Sequence, residues 1–211
     1  MWIEPFTLTG RHVRLEPLAV GHVPALVTAA QADGDTYGFT SVPRDTTTMT
    51  AYVEGLLADA ARDAVVPFAQ VRASDGVPVG CTRFMNLVWW PSREMPVEVE
   101  VGGTWLAAAA QRTPINTEAK LLLLRHAFDV WRVGRVAICT DARNERSRIA
   151  IERIGATFEG VLRRHTIMPD GSNRDSAFYG IIAPEWPAVR DRLQAKLASG
   201  FGKPRGVFVL T

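Results

Sequence analysis

Glu98 and Glu100 stand in the alternating run Val97-Glu-Val-Glu-Val101. Alternate residues of a strand share a face, so both carboxylates project to one side and the valines to the other. Such a pair is either a solvated strand face or the source of a general base. Glu100 lies nearer the end of the strand, where a base acting directly or through a water could take a proton from an incoming group. The run closes at Trp105-Leu106, and Ala109-Gln-Arg-Thr-Pro-Ile-Asn-Thr-Glu-Ala119 follows. A helix is expected to begin there, with Thr113 as N-cap and Pro114 at the first helical position, where its missing N–H costs no hydrogen bond. The N–H groups of Ile115, Asn116 and Thr117 are then unpaired at the positive end of the helix dipole. With Arg112 beside them, they make an anion site suited to a diphosphate.

A second helix start lies near Thr140-Asp-Ala-Arg-Asn-Glu-Arg-Ser147. Asn144 suits an N-cap, and Ser147 in the first turn can cap or can offer its hydroxyl to a ligand. No Gly-x-Ser-x-Gly elbow or catalytic triad is evident. His12, His22, His126 and His165 lack metal-ligand spacing, so no metal is expected. His126 sits on a Leu-rich helix and reads as structural, whereas His165 is kept as a substrate contact. Trp89 and Trp90, with Arg83 and Arg93, either line an acceptor pocket or cover the core. Cys81 and Cys139 fall in strand-like runs and read as reduced, buried thiols.

These residues need a scaffold. Residues 12–18 alternate as a strand, and helices are expected over 21–32 and, after an Asp45 cap, over 49–64. Strands at 66–72 and 77–87 flank the Ser74-Asp75-Gly76 turn. A polar loop at 88–95 leads to the strand at 96–106. A helix over 116–130, a strand at 135–140 and a helix over 144–154 ended by Gly155 come next. Strands at 158–165 and 175–182 flank a Pro169-Asp170-Gly171 turn, and a helix spans 184–198. Interleaved helices and consecutive strands predict an α/β (α+β) fold: one mixed, mostly antiparallel central sheet with helices on both faces. Residues 1–199 form one domain in this reading. The tail 200–211 lies outside it, and its Val207-Phe-Val-Leu210 end either pairs with a sheet edge, for instance in a homodimer, or stays unpaired.

The 211 residues are 47% hydrophobic and 22% charged, an ordinary globular balance that can bury a core. A net charge of +2 without a basic stripe gives no ground for nucleic acid as a partner. No apolar run reaches the length that spans a bilayer, and the first residues lack a signal-peptide pattern, so no membrane partner and a cytoplasmic location are expected.

The residues quoted so far also form a larger pattern. Trp105-Leu106, Glu118-Ala119, the Leu-rich helix to Phe128, Asn144-Glu-Arg-Ser147, Ile151-Glu152 and Gly155-Ala156 occur in order. Glu159-Gly-Val-Leu-Arg163, Asp170-Gly171, Arg174-Asp175 and Tyr179 continue it. This pattern resembles the GNAT superfamily of acyl-CoA N-acyltransferases, and within it the ribosomal-protein N-terminal acetyltransferase-like branch. It extends from Gly10 to Pro187.

The resemblance implies a GNAT fold and transfer of acetyl from acetyl-CoA to a primary amine by direct attack in a ternary complex. The acceptor is a protein N-terminus, a lysine or a small-molecule amine. It implies that Glu100 is the base and that Ser147 can bond the departing thiolate. Trp105, Leu106, Gln111, Arg112, Thr113, Ile115, Asn116, Thr117, Asn144 and Ser147 would hold acetyl-CoA. Pro114 and Asn116 stand where that loop usually has glycines, which let the backbone approach a pyrophosphate closely. The helix tyrosine that commonly serves as acid falls at Ile151, leaving Tyr179 as a reserve. The rival reading is a non-catalytic acyl-CoA-binding or regulatory protein on the same fold.

Overall fold

Apolar alternation and turn chemistry produce the strands β1 (Leu8–Thr9), β2 (Val13–Pro17), β3 (Val65–Arg72), β4 (Pro78–Val88), β5 (Glu98–Leu106), β6 (Arg135–Asp141), β7 (Thr157–Ile167) and β8 (Asn173–Ile182). The helices are α1 (Val23–Gln31), α2 (Thr46–Ala60), α3 (Pro114–Arg125), α4 (Glu145–Ile154) and α5 (Trp186–Ala198). The computed structural model describes residues 3–32, 37–168 and 170–199. The tail 200–211, on which the homodimer expectation rested, and Pro169 of the expected turn lie outside the described residues.

One mixed sheet has the order β1-β2-β3-β4-β5-β6-β8-β7. Every neighbouring pair is antiparallel except β5 and β6. That parallel pair keeps register for only Glu98↔Arg135, Val99↔Val136 and Glu100↔Ala137. Beyond Glu100 the two strands part, although β5 continues to Leu106 and β6 to Asp141. A parallel pair needs a crossover, and α3 supplies it. As a result α3 begins after the carboxyl end of β5, and α4 begins after the carboxyl end of β6. In open sheets the crevice outside such strand ends is where ligands sit.

Local chemistry fixes the helix ends. Asp45 caps α2 by accepting from Thr48 N–H at 2.9 Å, and Asn144 caps α4 through Ser147 N–H at 3.0 Å. A cap of this kind contributes about 1 kcal/mol. Gly155 ends α4 at φ 111°, a left-handed conformation that glycine takes without a Cβ penalty. Two boundaries differ from the sequence reading by four residues or more. Helix α2 stops at Ala60 rather than 64, because the chain reverses through Asp63 at φ 55°. Its carboxylate accepts Ile3 N–H at 3.2 Å, so the N-terminal segment is tied there. The helix expected to run to Val130 changes to a π-helical turn at His126–Val130. That widening lets the helix bury Ala127 and Phe128 while His126 stacks on Phe6 at 4.0 Å.

The helices sort by face. α1 and α2 pack together and over β3 and β4, while α3 packs on α5 and α4 meets α5 and β6. The α3 side buries Phe68, Phe84, Val99, Val136, Ile138, Tyr179 and Ile181. Phe128 stacks on Trp186 there at 5.4 Å. Glu118 of α3 is buried and accepts backbone N–H groups from Arg11, His12 and Val13, which fastens the β1–β2 turn to the helix.

Candidate active site

Strand β5 is buried at Val99–Val101 and at Trp105–Leu106, but Gly102, Gly103 and Thr104 between them are partly open to solvent. An accessible stretch in the middle of a central strand is where a ligand can reach β5. It follows the last paired residue, Glu100, and contains a bulge: Cys81 faces Trp105 while Arg83 faces Gly102, so β5 carries one extra residue. Gly103 has φ 56°, which disfavours any side chain.

Glu98 and Glu100 do share a face, and their surroundings separate them. Glu98 pairs with Arg135 at 3.0 Å and is part of a surface ion network. Glu100 is 5% exposed, so it is no solvated strand residue. Its Oε2 accepts from Asn86 Nδ2 at 2.8 Å, and its Oε1 accepts the Cys139 thiol at 3.2 Å. Burial, and then the charge of Glu100, pushes the Cys139 thiol up to about 12, so this cysteine stays a neutral donor. Neither partner carries charge, and each carboxylate oxygen keeps a lone pair for a further proton. Such a group can serve as a general base.

The start of α3 has the expected form. Thr113 is the N-cap and Pro114 the first helical residue. The Thr113 hydroxyl donates to Ala110 O at 2.7 Å and accepts Ile115 N–H at 3.4 Å. Ile115 is therefore partly capped, and the remaining helix-start donors are those of Asn116 and Thr117. The side chains of Ile115 and Thr117 are buried, so these residues can offer only backbone to a ligand. The same holds for Trp105 and Leu106, whose carbonyl oxygens already bond Gln70 and Gln111. Arg112 is exposed and held at φ 58°. Asn116 Oδ1 is buried without a hydrogen-bond partner, and a ligand donor at the helix start would satisfy it. A cavity of ≈ 290 Å³ opens beside this turn, lined by Arg11, His12, Thr113, Pro114 and Ile115 among others.

Helix α4 adds a second helix start. Asn144 spends its side-chain oxygen on the cap, which leaves its NH₂ for a ligand. Ser147 is partly exposed in the first turn. Arg146 Nη2 donates to Gln111 Oε1 at 3.1 Å, a bridge between the two helix starts that the sequence reading missed. Together these parts fit a long, anionic, amide-bearing ligand such as a coenzyme A thioester: helix-start donors and arginines for phosphate, and a carboxylate at the narrow end.

Other expected residues fall elsewhere. Tyr179 is fully buried, with its hydroxyl donating to Glu152 at 3.2 Å and accepting from Arg148 at 3.1 Å. Ile151 is buried too. His165 bonds Ser176 at 3.1 Å. Arg93 donates to Arg132 O at 3.1 Å, so it turns to the loop before β6 and away from Arg83. Trp90 is 62% exposed.

One buried cation was also overlooked. Lys120 on α3 is 5% exposed and donates to Thr104 Oγ1 at 2.6 Å, and Thr104 meets Thr82 at 2.8 Å. Burial pushes its ammonium down to about 7. A lysine inside the apolar arc of a Leu-rich helix was the available signal.

Comparison with known proteins agrees with this architecture. A sequence profile described as Acetyltransferase (GNAT) domain matches residues 12–157. YdaF of Bacillus subtilis (strain 168), provisionally named a ribosomal N-acetyltransferase, is 36% identical over 84 residues. That match spans 40% of this chain and 45% of YdaF, so it covers less than half of the curated relative. A structure from T. thermophilus, provisionally described as an acetyltransferase, is 40% identical with a TM-score of 0.80. The match covers 93% of this chain and 100% of that one. Mycobacterium smegmatis RimJ, solved in complex with CoA-disulfide, is 25% identical with a TM-score of 0.76, covering 90% of this chain and 94% of that one. The profile alone spans well over half of the sequence, and the chain belongs to the GNAT acetyltransferase family.

Proposed function

We propose that this protein transfers an acetyl group from acetyl-CoA to a primary amine, by direct attack of the amine in a ternary complex. The observation that carries the reading is the buried Glu100 carboxylate at the point where β5 and β6 part, with two helix starts at the open end. Acetyl-CoA, when bound, supplies a thioester carbonyl and a thiolate leaving group. The chain supplies the rest. The amides of Asn116 and Thr117, with Arg112 and Arg146, bind the diphosphate, and the Asn144 NH₂ meets an amide of the pantetheine arm. Glu100 removes the ammonium proton, directly or through a water. As the C–N bond forms and the C–S bond breaks, the second amine proton passes to the leaving thiolate, and Ser147 offers its hydroxyl to that sulfur. The acceptor is a protein N-terminus, a lysine or a small amine. The name of YdaF favours a ribosomal protein as one such acceptor.

A second reading is an acyl-CoA-binding protein without turnover. It is favoured by Ile151 in the place of the helix tyrosine and by a Tyr179 hydroxyl already committed to Arg148 and Glu152. Calorimetry with acetyl-CoA together with thiol release across an amine panel separates the two. Binding with release supports the enzyme, binding without release supports the second reading, and no binding at millimolar ligand sinks both.

A further inference from the structure

We propose that the acceptor amine carries an anionic group, a carboxylate or a phosphate, and that Arg83 recognises it. This rests on the acetyl-transfer reading above and names the acceptor class.

Arg83 lies on the same face of the sheet as Glu100. Glu100 is opposite Met85 and Gly102 is opposite Arg83 across β4 and β5, and directly opposed residues of antiparallel strands share a face. Their rows are two residues apart, about 7 Å along the strand. Both side chains pack on the accessible glycines. A Cβ added at Gly102 would come within 3.1 Å of Glu100 Oε1, and one at Gly103 within 2.5 Å of Arg83 Nη1. The guanidinium is thus laid against the open bulge beside the base.

It is also unspent. None of the ion pairs among the described residues includes Arg83. Its Nε is buried without a hydrogen-bond partner, and Nη1 has only a long contact of 3.4 Å to the Tyr52 hydroxyl. A half-buried guanidinium with an unused donor is costly unless something else pairs with it. Arginine presents a planar fork that matches carboxylate and phosphate oxygens in two-point contact. The Tyr52 hydroxyl of α2 meets one edge of the guanidinium, and burial pushes that hydroxyl up to about 12, so this edge lies out of bulk water, where such contacts are stronger. A substrate that places its ammonium at Glu100 and its anion at Arg83 satisfies both groups at once.

The test uses two matched acceptor pairs: β-alanine with β-alaninamide, and phosphoethanolamine with ethanolamine. Thiol release from acetyl-CoA is followed for the wild type, Arg83→Met and Arg83→Lys. The anionic member of at least one pair should show kcat/KM about tenfold higher, mainly through KM, as a charge-assisted contact of this kind provides. The preferred pair identifies the anion as carboxylate or phosphate. In Arg83→Met the ratio within that pair should fall toward one, and Arg83→Lys should keep part of it. Turnover of the neutral amines with no anionic preference overturns this proposal alone, as does a preference that survives in Arg83→Met. No release from any of these amines, nor from a peptide with a free N-terminus and a lysine, overturns the acetyl-transfer reading with it. The wild-type ratios need no variant, so a folding defect in Arg83→Met leaves the test decisive.

Discussion

Cys139 Sγ lies 3.2 Å from Glu100 Oε1, joining β6 to β5 just past the last residue pair of their parallel ladder. The contact spans the apex of the cleft. The thiol is held neutral by burial and by the carboxylate's charge, so it donates to Glu100 and does not compete with it as a nucleophile. Asn86, at φ 49° where β4 is irregular, fixes the second oxygen. The orientation of the Glu100 carboxylate is therefore set from two neighbouring strands.

Replacing Glu100 by Gln keeps the shape and removes the basic oxygen. Turnover is expected to fall by about two orders of magnitude, the usual contribution of a positioned base, with acetyl-CoA affinity nearly unchanged. Steady-state rates and calorimetry on the same preparation check it. An unchanged rate would remove Glu100 as the base.

Both cysteines should resist alkylation in the native protein. Burial pushes Cys81 up to about 12, and burial with Glu100 does the same for Cys139. Only the thiolate reacts, and almost none exists at pH 8. Mass spectrometry after iodoacetamide treatment at pH 8 should find little label on the folded chain and two labels once it is denatured. Rapid native labelling of Cys139 would show that the apex is open and its thiol ionised.

An Asp at position 116 would place a charge at the first turn of α3, beside the backbone donors assigned to the diphosphate. Asn116→Asp should weaken acetyl-CoA binding by about tenfold or more through repulsion, and should lower Tm as well, because the helix dipole offsets only part of the cost of charging a buried, unpartnered oxygen. Titration calorimetry reads the affinity. Equal affinity would place the phosphates elsewhere.

Lys120 gives a pH signature. Burial lowers its folded value to about 7 from an ordinary 10.5. Between those values the unfolded chain holds a proton that the folded chain has released, so stability rises with pH across the window and is lost as pH falls toward 7. Lys120→Met should raise Tm by several degrees at pH 6.5, with the gain shrinking toward pH 10. Melting curves across that range check it, and a gain independent of pH would mean that the ammonium is compensated in the fold.

Much of this architecture was legible in the chain. Strand alternation, the Asp45, Thr113 and Asn144 caps and the Gly155 stop are local signals, and each element formed within a few residues of its expected bounds. What escaped depends on distant partners. Place in the run singles out Glu100 over Glu98 but says nothing of their surroundings; Arg135, which claims the first, and Asn86 and Cys139, which hold the second, come from other strands. Arg83 and Arg93 looked equivalent in sequence, yet one lies on the bulge and the other on the Arg132 carbonyl. The bulge at Gly102–Gly103 needed the register of β4 to be seen. The π-helical turn after α3 reflects aromatic packing around Phe6, Phe84 and Trp131, which a 3.6-residue period does not report.

The proposed reaction is acetyl transfer to an amine at the split between β5 and β6. Its most direct measurement is thiol release from acetyl-CoA by the wild type and Glu100→Gln in parallel across neutral and anionic primary amines, with mass spectrometry of the acceptor. Amine-dependent release with one acetyl added per thiol is expected, with its near loss in the variant. Acetyl-CoA binding without amine-dependent release, in the wild type, would contradict it.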